Sequence, residues 1–178
     1  MNDDSIEVIE QVDLLLLELR TLRSEGPHLR VIHRFRHPGS ECGPGEEIVA
    51  IHLVHRAREF LVPLSCSLLL VFDYLAHHSH FPQSAAQITA GMKADPFYYK
   101  HGANAATHVR LTRKISRSSV KVYIERLRTA LLQAFRNAQI QIDPFSVLVS
   151  EETSSNETGY RLRARFEWIH IDHPGHAH

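Results

Sequence analysis

The chain has 178 residues, 43% hydrophobic and 22% charged, which suits one ordinary core with an extension and excludes disordered and fibrous classes as well as two domains of typical size. Its formal charge of zero hides three blocks: seven acids against Arg20 and Arg23 in residues 1–25, nine Lys/Arg against Glu125 alone in residues 100–137, and six acids against three arginines from residue 138 onward. A positive field confined to the middle of a chain is expected where one surface meets a polyanion. No segment reaches the roughly 18 to 20 uninterrupted apolar residues of a membrane helix; Asn2-Asp3-Asp4 lacks the basic region of a secretory signal. Cys42 and Cys66 form neither a CxxC pair nor a disulfide framework, so a reducing cytoplasm and no membrane contact are expected.

In chain order, residues 5–23 are helical in pattern, with Ile6, Ile9, Val12, Leu16, Leu19 and Leu22 at three- and four-residue steps before Gly26-Pro27. This leucine stripe either packs back on its own domain or makes a dimer contact; the second sets the expectation of a homodimer. Residues 27–47, with Pro38-Gly39 and Gly43-Pro44-Gly45, read as a turn-rich linker. Residues 48–53 and 60–64 follow as an antiparallel pair around a polar turn at His55-Arg56-Ala57-Arg58. Residues 67–77 read as a short buried helix, preceded by Cys66 as a buried, inert thiol. A second helix runs from Ala85 to Met92 with Ser84 as its cap. The stretch 93–112 is long for a connection, which points to function, here a contact with the transcription machinery.

Ser116 or Ser118 caps the next helix, which continues to about Ala138 with Val120, Ile124, Leu127, Leu131 and Phe135 on its core face. With that face inward, Ser119, Val122, Tyr123 and Arg126 share another one. These have the chemistry to read bases: Arg126 for guanine O6/N7, Val122 for a thymine methyl, Tyr123 for a base or phosphate. Arg113, Lys114, Arg117, Lys121 and Arg128 suit phosphates. The chain then passes Asp143-Pro144 into Val147-Leu148-Val149, a polar tip, and the strictly alternating residues 159–168, read as a hairpin whose arginines Arg161, Arg163 and Arg165 face water or enter a minor groove.

Leu61-x-x-Leu64 leading into residues 68–76, then Ser119-Val120-Lys121-Val122-Tyr123-Ile124-Glu125-Arg126-Leu127-Arg128, then Gly159-Tyr160-Arg161-Leu162, resembles the DNA-binding domain of OmpR/PhoB-type regulators. That family has a valine-rich helix containing Ile-x-x-Leu-Arg and a closing wing with Gly-Tyr. The resemblance covers residues 48–167, about two thirds of the chain. It implies an α+β winged helix-turn-helix: N-terminal antiparallel strands, a three-helix core and a C-terminal β-hairpin wing, here with an extra N-terminal helix. It also implies DNA contacts at Tyr123, Arg126 and Arg128; Tyr160 and Arg161 are further candidate DNA contacts in the wing. The family's usual arginine at Ser118 stands one residue earlier, as Arg117, and Asn156-Glu157-Thr158 replaces the wing's Arg-Gly. The residues ahead of the strands are too few for a phospho-receiver domain, so none is expected.

Fourteen histidines raise the question of metal, most of all His77-His78-x-His80 and the closing His170-x-Asp172-His173-x-x-His176-x-His178. The first reads as a polar turn and the second as a frayed tail, so no metal or other cofactor is expected. No P-loop, dinucleotide-binding, GxSxG or HExxH pattern is present, and no enzyme is expected. The expected organisation is an N-terminal helix (1–26), the linker (27–47), a winged helix-turn-helix (48–169) and a histidine-rich tail (170–178). The expected function is sequence-specific binding of double-stranded DNA by a transcriptional regulator, with helix 118–134 in the major groove and hairpin 147–166 as wing. The competing expectation is a winged-helix protein-interaction module.

Overall fold

Alternation in His28-Leu29-Arg30-Val31-Ile32-His33 puts Leu29, Val31 and His33 on one face, and all three are buried. This makes β1 (His28–Arg36), the first element of a computed structural model that describes residues 26–36, 45–94 and 114–172. It corrects the reading of 27–47 as linker throughout. β2 (Gly45–His55) pairs antiparallel with β1, Val31 opposite Ile51 and Leu29 opposite Leu53, with a register shift at Ile32/His33. β3 (Arg58–Leu61) pairs back on β2 as expected.

The β2–β3 turn places Arg56 and Ala57 at φ 49° and 57°. Positive φ at both central residues is the type I′ pattern, whose twist matches paired strands but strains a residue with a Cβ. Ala57→Gly is therefore expected to stabilise the fold by about 0.5–1 kcal/mol, measured as a higher urea midpoint at unchanged m-value.

The chain next forms α1 (Cys66–His77), whose residues Leu68–Ala76 are all buried, as befits a helix apolar around most of its circumference. Cys66 itself is exposed at the first helical position, contrary to the expected buried thiol, because the apolar run starts only at Leu68. β4 (Gln83–Ser84) runs directly into α2 (Ala85–Ala94). Ser84 caps α2 as expected: its Oγ accepts from Gln87 N at 3.2 Å, and Gln87 Oε1 accepts from Ser84 N at 2.8 Å. α2 approaches α1 at Gly91, where a Cβ would lie 2.1 Å from the buried Tyr74 hydroxyl.

α3 (Arg117–Asn137) starts from a reciprocal cap between Ser116 and Ser119. Its inner stripe, Val120, Ile124, Leu127, Leu131, Ala134 and Phe135, enters a single core shared with α1, α2 and both sheets. Asp143 caps the four-residue α4 (Pro144–Val147), and β5 (Leu148–Glu152) and β6 (Thr158–Leu162) then form a hairpin.

The expected hairpin limits, 147–166, are too wide, and residues 159–168 are not one strand. β6 ends at Leu162, and β7 (Phe166–Asp172) crosses to pair parallel with β1, Val31 opposite Trp168. β7 also takes residues 170–172 out of the expected tail. The result is a mixed α+β fold with four helices and two sheets among the described residues, in strand orders β3-β2-β1-β7 and β4-β6-β5. The expected helix 5–23, the stretch 95–113 with Arg113, Cys42, and His173, His176 and His178 lie outside the described residues.

Candidate nucleic-acid interface

With one stripe of α3 in the core, the opposite side is set by helix geometry. Arg117, Ser118, Lys121, Val122, Glu125 and Arg126 are exposed, as is Lys114 just ahead of the cap. Val122 stands out: a β-branched apolar side chain 49% exposed amid cations. Ser119 and Tyr123 are half-buried. Ser119 Oγ donates to the Ser116 carbonyl at 3.0 Å and accepts from Ser116 N at 2.8 Å, so its hydroxyl is committed to the cap. Tyr123 packs against the core. Of the four candidate readers, Val122 and Arg126 are the two presented to solvent.

Arg128 is not on this surface. It is 6% exposed, and its Nε and Nη2 donate to the Leu148 carbonyl at 3.1 and 2.9 Å. Nη2 also donates to Ser150 Oγ at 2.9 Å, Nη1 donates to Glu125 at 2.6 Å, and the guanidinium lies 4.3 Å from the Phe145 ring centre. Its donors hold the hairpin to the helix, and in doing so they take up the charge of Glu125, the one acid of the basic stretch. Arg128→Lys keeps the charge but loses the planar fork and the stacking. It is expected to cost about 1–2 kcal/mol in chemical denaturation.

The wing candidates are also engaged internally. Tyr160 is buried, and Arg161 donates to Glu151 at 2.9 Å and to the His80 carbonyl at 3.3 Å. Arg163 pairs with the same Glu151, and Arg165 donates to the Gly26 carbonyl at 3.2 Å. Alternation along the strand correctly marked these arginines as off the core, but it carried no information about Glu151 across the hairpin.

A cleft of about 520 Å³ opens where the start of α3, the start of α2 and the hairpin meet, lined by Arg117, Ser118, Lys121, Ala86, Glu157 and Tyr160 among others. No sequence pattern announces it, because its walls come from three separate segments.

Behind the interface, Asp73 of α1 is 2% exposed and its Oδ1 accepts from His33 Nε2 at 3.0 Å. His77 Nδ1 lies 3.3 Å from the same oxygen and donates to the Asp73 carbonyl at 2.9 Å. Burial, the largest influence, opposes ionisation of this carboxyl, yet the hydrogen bonds from His33 and His77 outweigh it and hold the group below its ordinary range. His33 stacks on Trp168, ring centres 5.4 Å apart, so the network ties α1 to β1 and β7. His78 Nδ1 donates to the Tyr74 carbonyl at 2.7 Å, and His77 and His78 thus finish the helix. Among the described residues no group of three or more His, Cys, Asp or Glu side chains is arranged to hold a metal ion, and no helix is long and apolar enough to cross a membrane.

Comparison with protein-family models, with curated proteins and with solved structures gives no match for this chain.

Proposed function

We propose that the protein is a cytoplasmic winged helix-turn-helix regulator that binds double-stranded DNA, with α3 in the major groove and the β5–β6 hairpin as the wing beside it. The observation that carries this reading is the outer side of α3. Arg117, Lys121 and Arg126 are exposed along α3 with no acidic partner among the described residues, Val122 is exposed on the side of Arg126, and Glu125 is occupied by Arg128. The order of elements also supports it: α1, α2 and α3 followed by a hairpin that β4 extends is the arrangement that places a third helix and a wing on one side.

In this reading Arg126 bonds guanine and Val122 touches a thymine methyl. Lys114, Arg117 and Lys121 hold phosphates, setting affinity and register. The wing contributes shape more than charge, since Arg161 and Arg163 share Glu151 and the hairpin also carries Glu152 and Glu157. Dimerisation through residues 5–23 would match two half-sites about 10–11 base pairs apart. Electrophoretic shift assays on fragments selected from genomic DNA, repeated at increasing salt, test the reading. Binding that weakens steeply with salt and prefers a recurring sequence is expected; absence of binding at low salt would sink it.

A further inference from the structure

Arg117 and Lys121 stand one helical turn apart on the same wall of the α2–α3–hairpin cleft. Like charges at this spacing repel, and among the described residues neither has an acidic partner. Glu157, also without a cationic partner among the described residues, lines the cleft from the hairpin with Thr158 and the otherwise buried Tyr160, and the small Ala85 and Ala86 line it from α2. The volume, about 520 Å³, lies in the range of small-ligand sites. An anion between Arg117 and Lys121 removes their repulsion and receives charge-assisted hydrogen bonds from both, with the Ser118 hydroxyl adjacent. Glu157 accepts hydrogen bonds and repels a second anion. The walls therefore select a ligand with one phosphate at one end and hydroxyl donors at the other.

We infer that this cleft seats a single sugar–phosphate unit, its phosphate between Arg117 and Lys121 and its sugar hydroxyls toward Glu157. A free sugar monophosphate offers both groups, whereas a DNA backbone offers the phosphate alone, its deoxyribose hydroxyls being esterified. For the polymer the inference rests on the DNA-binding reading above; for the free ligand it does not.

The test uses the full chain with three probes: D-ribose 5-phosphate, inorganic phosphate and a selected DNA duplex, each followed by calorimetric titration. Ala86→Leu fills the cleft without changing charge. The surface pair Arg117→Gln with Lys121→Gln removes the anion wall, and Glu157→Gln removes the acceptor; circular dichroism checks each fold. Ribose 5-phosphate is expected to bind the unaltered protein more tightly than phosphate. Ala86→Leu and the double glutamine variant should each lose at least about tenfold, and Glu157→Gln should lose the preference for the sugar phosphate.

Binding of the duplex alone, weakened tenfold by Ala86→Leu, supports a backbone phosphate in the cleft and overturns the sugar-hydroxyl contact at Glu157. Binding of ribose 5-phosphate alone supports the cleft and removes the DNA reading. Duplex binding untouched by Ala86→Leu, with no response to ribose 5-phosphate, overturns the cleft and leaves the DNA reading standing. No binding of either overturns both.

Discussion

Arg126→Ala is expected to lower affinity for a selected DNA site by about 5- to 150-fold, the equivalent of the 1–3 kcal/mol that a bidentate guanine contact supplies. Binding to random duplex should change far less. Arg126 is exposed on the same side of α3 as Val122 and has no acidic partner among the described residues, so in the proposed reading it needs to break no internal contact to meet a base edge. Lys121→Ala should behave differently: a phosphate contact weakens binding to all sequences alike and makes the salt dependence shallower by about 0.9 in log–log slope. Arg161→Ala serves as the contrast, because that side chain already bonds Glu151 and the His80 carbonyl. Quantitative shift titrations at three salt concentrations separate the three patterns. Equal losses on selected and random DNA for Arg126→Ala would remove its role as reader.

Asp73→Ala should destabilise the protein by about 1–3 kcal/mol, the usual cost of removing one partner of a buried hydrogen bond. The substitution takes a hydrogen bond from His33, 4% exposed, and a contact from His77, loosening α1 from β1 and β7 together. Asp73→Asn retains a carbonyl acceptor and should cost less. The pair also predicts a pH effect. The folded carboxyl titrates below the ordinary value of about 3.9, so its contribution is fully present above that pH and is lost as pH falls through the lower folded value. Urea midpoints measured from pH 6 down to pH 2 should fall below about pH 4 in the unaltered protein. Asp73→Asn should lack that share of the fall; parallel curves would remove Asp73 as its source.

The elements legible in the sequence are those whose local pattern settles them. β2 and β3 with their polar turn, the largely apolar α1, α2 behind Ser84, and the inner stripe of α3 follow from periodicity and capping chemistry alone. β1 escaped because its third inward position is a histidine, whose partner Asp73 lies 40 residues away, and because turn residues crowd it on both sides. The break between β6 and β7 escaped because alternation continues through Arg163-Ala164-Arg165; alternation reports a face and does not name the sheet. Arg126 and Arg128 look alike in sequence, yet at about 100° per residue they stand some 200° apart on the helix. Arg128 is four residues past Ile124 and three before Leu131, on the margin of the core face, which is where the structure buries it.

The pairing of β1 with β7 also bears on the order in which the protein takes shape during synthesis. β2 and β3 can zip onto β1 as soon as they emerge, but the other edge of β1 waits for a strand that begins with Phe166, and His28 meets Glu167 across 139 positions. Until the ribosome has passed that point, β1 carries an open row of backbone donors and acceptors, and His33 lacks the Trp168 ring that covers it. Closing so long a span is entropically slow relative to the local helices. Nascent chains of this protein therefore carry a sticky strand edge while residues 37–165 are being made, and that interval is when a chaperone has most to protect.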